Sequence, residues 1–264
     1  MLELSRTVRF SLNDDGEDPS DRDNTFAGWP PMRGLGRYYQ MVVRCQGEPD
    51  PTTGYFMNIK WIDQAVRDHA LPHLSRALGH APLKSAIAMG RLMQELLEQI
   101  QPILRHTVYE LQFDLTPFHH LNIRSSDMTR VHISEQFEFA AAHRLHVLEL
   151  SDEENRGVFG KCNNPSGHGH NYRVEVIVSS PIDDTGHLLP VERLDAVVHE
   201  AVIQKLDHKN LNVDVPEFAD LNSTVENIAR VIHNMLKVEV QKLGVELEQV
   251  SVWETSKTVC TYQE

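Results

Sequence analysis

The stretch Gly160-Lys161-Cys162-Asn163-Asn164-Pro165-Ser166-Gly167-His168-Gly169-His170-Asn171-Tyr172 places one thiol and two imidazoles close together in the chain. Directly after it, residues 172–178 alternate apolar and polar side chains, which predicts a β-strand. Because residues i and i+2 of a strand point to the same face, His168 and His170 would direct both rings at one point. Two imidazoles aimed in this way suit an open tetrahedral zinc site.

A third zinc ligand is available upstream. An alternating run over residues 137–142 ends at His143, which could reach the same metal from a neighbouring strand. We therefore predict that His143, His168 and His170 bind Zn²⁺. The alternative is that His168 and His170 are surface histidines in a glycine-rich turn.

The composition excludes several classes of protein. The chain has 264 residues, 41% hydrophobic and 24% charged, which is ordinary for a soluble globular protein. A net charge of −13 argues against a general nucleic-acid binder, although a local basic pocket for a phosphorylated small molecule stays possible. Three cysteines form no disulfide framework, and residues 1–6 do not resemble a signal peptide, so we expect a cytoplasmic protein. Without an apolar run of spanning length, we expect no membrane partner.

Secondary-structure patterns repeat along the chain in the order β-β-α-α-β-β. In the first half we predict strands at 7–12, 38–45, 107–115 and 121–123, helices at 59–78 and 85–104, and a long loop at 13–36. In the second half we predict strands at 131–142, 172–178, 249–254 and 258–262, helices at 191–205 and 224–243, and a long loop at 144–170. A period of roughly 130 residues implies an internal duplication.

Each repeat predicts an antiparallel sheet with its helices on one face, which is the α+β class. We place the boundary in the short polar stretch 125–130, so that the domains are 1–128 and 129–264. The first copy has Arg37-Tyr38-Tyr39 where the second has the two histidines, and its long loop carries no cysteine. We therefore interpret the first copy as degenerate and retained for structure.

Four further residues of the second copy are candidates for chemistry. Asp207 beside His208 would make an acid–base pair, or else a turn cap beside a surface histidine. Glu254 at a strand end would accept hydrogen bonds from a planar N–H array, such as the guanidine-like edge of a purine or pterin, or be an ordinary strand-end charge. Cys162, beside Lys161, would serve as a thiolate base or nucleophile, or else fill space as a small apolar residue.

Five motifs of the second copy together resemble the 6-pyruvoyltetrahydropterin synthase family. They are FAAAHRL (139–145), FGKCNNP (159–165), GHGHNY (167–172), LDHKNL (206–211) and VWET (252–255). The resemblance covers residues of about 131–264. Five residues separate Cys162 from His168, as in the eukaryotic type of the family.

The resemblance implies a tunnelling fold, in which β-β-α-α-β-β units assemble through their sheets into barrels. It implies zinc on the three histidines, Cys162 as proton acceptor, Asp207 and His208 as an acid–base relay, and Glu254 as the anchor of the pterin ring. The implied reaction converts 7,8-dihydroneopterin triphosphate into 6-pyruvoyl-tetrahydropterin with loss of triphosphate.

Two other functions stay open. A relative in the same family makes 6-carboxytetrahydropterin on the route to queuosine, and a zinc- and pterin-binding protein without turnover is also compatible with the motifs. The fused first copy departs from the family and puts its usual homohexamer in doubt. We expect a homo-oligomer of three chains that forms a pseudo-hexamer with three competent sites.

Overall fold

The computed structural model describes residues 1–13, 24–80 and 87–264. Contacts within the chain define two compact units, one of residues 1–133 with 180–188 and one of residues 134–179 with 189–264. Within the described residues, no helix combines the length and apolar character needed to cross a membrane. The assignment of 1–128 and 129–264 as a degenerate and a catalytic copy stays a prediction.

The first unit contains an antiparallel sheet in which β1 (Leu2–Leu12), β2 (Arg37–Gly47), β3 (Val108–Asp114) and β4 (His119–Arg124) are successive neighbours. Its helices are α1 (Ile59–Ala65), α2 (Leu71–His80) and α3 (Met89–Ile100), and a π-helical turn (Val66–Ala70) joins the first two. Alternate residues of β1, such as Val8 and Phe10, are fully buried, because one face of the sheet forms the core.

The second unit begins within the long strand β5 (Asp127–His143) and continues with β6 (His168–Pro181), β8 (Glu246–Thr255) and β9 (Thr258–Tyr262), which are neighbours in that order. A short strand, β7 (Lys209–Asn210), pairs in parallel with β5. The helices are α4 (Asp152–Phe159), α5 (Val191–Val198), α6 (Gln204–Leu206), α7 (Leu211–Asp214) and α8 (Val225–Gln241). A π-helical turn (His199–Ile203) separates α5 from α6.

Helix α8 closes the core of the second unit against β8 and β9. Its buried stripe includes Ile228, Ile232 and Leu236, which recur at the helical period of three to four residues. The Thr224 hydroxyl accepts a hydrogen bond from the backbone N–H of Asn227 and so caps the first turn. The antiparallel sheets and their helices confirm the α+β class, while barrel closure stays a prediction.

The predicted loop at 144–170 is wrong in part, because it contains helix α4 and a 3₁₀ turn (Gly160–Asn163). Helix α4 buries only Asn155, so it has no apolar stripe from which periodicity could predict it. A capping box between Ser151 and Glu154 holds its first turn instead. The start of the second predicted helix (85–86) and part of the first long loop (14–23) lie outside the described residues.

Candidate metal centre

Three imidazoles converge where β5 ends and β6 begins. His143 is the last residue of β5, and His168 and His170 occupy the same face of β6 at its start. One ring nitrogen of each histidine lies within 4.8 Å of the others. Nε2 of His143 is 3.1 Å from Nε2 of His168, and the His168 and His170 ring centroids are 4.8 Å apart. The structure thus brings together the three residues predicted as ligands.

The orientation of His143 is set by the backbone. Its side chain is fully buried, and Nδ1 lies 2.8 Å from the carbonyl oxygen of Ser223, to which the Nδ1–H donates. The neutral ring therefore directs the lone pair of Nε2 at the other two histidines. Burial lowers the pKa of His143 and also that of His170, which favours the neutral form that binds metal.

These residues fit a zinc ion. With Zn–N bonds of about 2.0–2.1 Å in tetrahedral geometry, two ligand nitrogens lie about 3.3 Å apart, close to the 3.1 Å between His143 and His168. Among the described residues, His170 Nε2 is buried and has no hydrogen-bond partner. A buried, unpartnered imidazole nitrogen is costly unless a ligand occupies it. The backbone bond of His143 supplies the outer-shell support that zinc-binding histidines commonly have.

Glu254 lies beside the imidazoles. Its Oε1 is 3.3 Å from Nε2 of His143 and 3.5 Å from Nε2 of His170. The side chain is about one-fifth exposed, so the carboxylate borders the cluster and still reaches solvent. The structure places this predicted residue at the centre; its predicted contact with a pterin ring stays a proposal.

Asp207 and His208 form the predicted pair. Asp207 Oδ2 lies 2.7 Å from His208 Nδ1, while Oδ1 accepts a hydrogen bond of 2.8 Å from the backbone N–H of Ala140 on β5. The bond from Ala140 is the main cause that lowers the pKa of Asp207, and the bond to His208 adds to it. The carboxylate is therefore held ionised beside the imidazole.

A left-handed backbone conformation makes this pair possible. Adjacent side chains commonly point apart, but His208 has φ +56°, which is unusual for a residue other than glycine. The His208 backbone N–H also donates to the Ala140 carbonyl, at 2.6 Å. The His208 ring is largely exposed and, like His170, lines a surface groove of about 560 Å³. Of the seven candidate site residues, His170 and His208 line this groove.

Cys162 lies on the 3₁₀ turn that follows α4. Its thiol is half-buried and forms no disulfide. The thiols of Cys45, which is buried, and of Cys260, which is half-buried, are also free. The Cys162 carbonyl accepts a hydrogen bond of 2.9 Å from the backbone N–H of Leu145, and the amide of Asn163 donates to the Leu145 carbonyl at 2.7 Å. These bonds fasten the turn to the segment that leaves β5 just after His143.

Tyr172 is part of the centre, although the sequence analysis did not select it. It continues the row of His168 and His170 on one face of β6, and its ring contacts that of His170 edge-on with 5.6 Å between centroids. The side chain is fully buried and stacks on Phe139. Continuing the alternation by one step beyond His170 would have identified it.

Comparison with known proteins agrees with this centre. The sequence family described as 6-pyruvoyl tetrahydropterin synthase matches residues 132–264. The 6-pyruvoyl tetrahydrobiopterin synthase of Homo sapiens is 48% identical over 132 residues, which are 50% of this chain and 90% of the human protein. The enzyme of that name from Drosophila melanogaster is 45% identical over 126 residues, 47% of this chain and 74% of the fly protein.

A solved structure is similar over the same share of the chain. The 6-pyruvoyl tetrahydropterin synthase of Caenorhabditis elegans is 38% identical, covers 51% of this chain and 96% of its own, and superposes with a TM-score of 0.48. All seven candidate site residues lie within the residues that the family matches. On this match, the chain belongs to the 6-pyruvoyl tetrahydropterin synthase family.

Proposed function

We propose that this protein is a zinc-dependent lyase that converts 7,8-dihydroneopterin triphosphate into 6-pyruvoyl-tetrahydropterin and releases triphosphate. The observation that carries the proposal is the convergence of His143, His168 and His170 beside Glu254, in residues that match the family. The relatives named above are 6-pyruvoyl enzymes, which favours the pyruvoyl product over the carboxy product. The five-residue spacing from Cys162 to His168 supports the same choice.

The reaction needs no external oxidant. Two hydroxyl-bearing carbons of the substrate side chain become carbonyls. One oxidation is balanced by reduction of the dihydropterin ring, and the other by cleavage of the carbon–oxygen bond to triphosphate, which leaves a methyl group. The protein must therefore move protons between positions of one bound molecule.

Each candidate residue has a place in these proton transfers. Zinc held by the three imidazoles would supply a Lewis acid for the side-chain oxygens. Cys162 would accept the proton from the side-chain carbon, and the Asp207–His208 pair would return a proton to the substrate. Glu254 would accept hydrogen bonds from the N–H edge of the pterin and fix its orientation.

The first copy, residues 1–128, would contribute to the assembly of the oligomer and would take no part in the reaction. The three ligand positions, Cys162 and the acid–base pair all belong to residues 129–264. We propose one competent site per chain, in a cytoplasmic oligomer of three chains whose six units form a tunnelling-fold assembly.

The test is incubation of the zinc-loaded protein with 7,8-dihydroneopterin triphosphate, followed by a triphosphate assay and mass spectrometry of the pterin. We expect stoichiometric triphosphate and the mass of 6-pyruvoyl-tetrahydropterin. The mass of 6-carboxytetrahydropterin would replace the proposed product with the alternative. Binding of pterin without triphosphate release would identify a protein that does not turn over its ligand.

A further inference from the structure

The hydroxyl of Tyr172 is a buried polar group that the proposed chemistry does not use. The side chain is fully buried, and among the described residues its oxygen has no hydrogen-bond partner. An unpaired buried hydroxyl is costly, and Phe in its place would keep the stacking on Phe139, whose ring centroid is 4.9 Å away. The hydroxyl therefore needs a hydrogen-bond acceptor among the residues around the three imidazoles.

Glu254 is the neighbouring acceptor. Strands β6 and β8 are antiparallel, with Val174 opposite Val252 and Arg173 opposite Trp253. The next step of this register would pair Tyr172 with Glu254, although β8 is irregular between Trp253 and Thr255 in its pairing with β9. Both side chains contact the His170 ring, so they lie close together around it. Side chains directly opposite each other on paired strands have Cβ atoms about 4.5–5.5 Å apart and lie on the same face.

Within the part of the chain that the structure describes, the Glu254 carboxylate also has no suitable hydrogen-bond donor. Its contacts are the Nε2 atoms of His143 and His170. Because the Nδ1–H of His143 donates to the Ser223 carbonyl, Nε2 of the neutral ring carries a lone pair and not a proton. An imidazole nitrogen that binds a metal likewise offers no proton to a carboxylate.

We propose that Tyr172 is a positioning residue, whose hydroxyl donates a hydrogen bond to the Glu254 carboxylate when the three histidines bind zinc. The bond would hold Glu254 away from the imidazole nitrogens and leave its second oxygen to accept a hydrogen bond from a bound pterin. Burial raises the pKa of Tyr172, and the charges of Glu254 and Cys162 raise it further, so the phenol keeps its proton at neutral pH. The role in pterin binding rests on the proposed function, whereas the hydrogen bond itself does not.

The first experiment measures the hydrogen bond without substrate. Tyr172→Phe is compared with the unmodified protein by thermal unfolding, with zinc bound and after chelation. We expect the variant to lose about 2–4 °C in Tm with zinc bound and to lose nothing after chelation, because only the loaded centre pairs the hydroxyl. The matched control is Tyr39→Phe, a partly exposed tyrosine on β2, whose effect should not depend on zinc.

A double-mutant cycle identifies the partner. In the zinc-loaded protein, Tyr172→Phe and Glu254→Gln should be non-additive in Tm, whereas Tyr172→Phe and Cys162→Ala should add. Equal losses in Tm with and without zinc, or coupling to Cys162 in place of Glu254, would overturn the proposal. The zinc-dependent loss in Tm and the double-mutant coupling can both be interpreted even if the protein converts no pterin.

The second experiment measures the consequence for binding. With 7,8-dihydroneopterin as a fluorescent probe, Tyr172→Phe should raise Kd roughly tenfold while zinc content stays at the unmodified level, a loss of about 1.4 kcal/mol. An unchanged Kd beside an intact Tyr172–Glu254 coupling would reject the role in pterin binding. Failure of the unmodified protein to bind the probe would count against the proposed function and leave the coupling result standing.

Discussion

At the scale of single residues, backbone groups orient two of the candidate site side chains. Ser223 fixes the ring of His143 and Ala140 fixes the carboxylate of Asp207, in each case through a main-chain atom far away in sequence. A hydrogen bond to a main-chain atom does not depend on which side chain the partner residue carries. Such bonds therefore hold the His143 ring and the Asp207 carboxylate in fixed orientations.

Replacing the proposed base separates chemistry from binding. We expect Cys162→Ala to lower kcat by about 10²–10⁴-fold, because a positioned acid or base contributes that much, while zinc content and pterin affinity stay unchanged. Triphosphate release, metal analysis and fluorescence titration measure the three quantities. Cys260→Ala, a half-buried cysteine on β9, is the control and should keep full activity. Undiminished turnover of Cys162→Ala would remove the thiol from the mechanism.

At the scale of elements, the segment 24–31 of the first unit is fastened to the outer edge of β1. The backbone N–H of Trp29 donates to the Arg9 carbonyl, and that of Ser11 donates to the Pro30 carbonyl, both at 3.0 Å. Gly28 has φ +78°, and a Cβ there would lie 3.0 Å from the backbone nitrogen of Phe10, so only glycine allows this close approach. An edge strand covered in this way has fewer groups free to pair with another chain.

A buried arginine holds this segment. Arg67, in the first π-helical turn, is 1% exposed, and its guanidinium donates to the carbonyls of Trp29 and Arg9. We expect Arg67→Met to destabilise the protein by about 1–3 kcal/mol, because the Trp29 carbonyl loses its donor while the Arg9 carbonyl keeps the Trp29 N–H. Urea unfolding measures the loss, and Lys60→Met, an exposed position of α1, is the control. A free energy of unfolding equal to that of the control would show that the guanidinium contributes nothing to stability.

Helix α8 buries a histidine whose charge state should link stability to pH. The His233 side chain is 1% exposed, packs against the Tyr262 ring with 4.9 Å between centroids, and has neither ring nitrogen hydrogen-bonded among the described residues. Burial lowers the pKa of His233; Glu264 opposes this effect and Lys237 adds to it. Because the unfolded chain then binds more protons than the folded one, stability is complete above the ordinary pKa of about 6.5 and falls as the pH drops towards the folded value.

Substitution of His233 should reduce the dependence of the free energy of unfolding on pH. A single proton changes the free energy of unfolding by at most about 1.4 kcal/mol per pH unit. Urea unfolding at pH 5.5 and at pH 7.5 measures the free energy of unfolding of His233→Phe and of the unmodified protein. We expect the difference between the two proteins to be more favourable to the variant at pH 5.5 than at pH 7.5. His199→Phe, at an exposed position, should show no such gain. Parallel pH curves for the unmodified protein and His233→Phe would contradict the assignment.

At the scale of the whole molecule, the two copies share local features beyond the order of their elements. Asp50 accepts hydrogen bonds from the backbone and hydroxyl of Thr53, and Asp183 accepts the corresponding bonds from Thr185. Each copy also contains a π-helical turn after its first helix. These shared features support an internal duplication, whereas the histidine cluster belongs to the second copy.

A degenerate first copy would leave one zinc per chain. Within residues 1–13, 24–80 and 87–264, one cluster of three histidines has the geometry to bind a metal. We expect metal analysis to give one zinc per chain and light scattering to give three chains per particle. Chelation should lower Tm, since a ligand at 100 times its Kd stabilises the folded state by about 2.7 kcal/mol. Two zincs per chain would contradict the degenerate first copy, and His143→Ala should make Tm insensitive to zinc.

Local patterns were sufficient for much of the fold and for the metal ligands. Residues two apart share a face of any strand, so the spacing of His168 and His170 already determined that their rings converge, and the alternation before His143 indicated a strand end. The buried stripe and the capping residue of α8 are likewise properties of neighbours in sequence. Helix α4 was not predicted, because it has no apolar face. A capping box and one buried asparagine stabilise it instead.

The sequence by itself predicted the principal strands and helices and the three imidazoles that converge. Only the tertiary structure decided that Ser223 orients His143, that a left-handed backbone at His208 turns its ring onto Asp207, and that Glu254 borders the imidazoles. The physical reason is that a local pattern specifies the direction of a side chain relative to its own strand or helix. Contacts between residues far apart in sequence depend on how strands and loops pack, which no local pattern encodes.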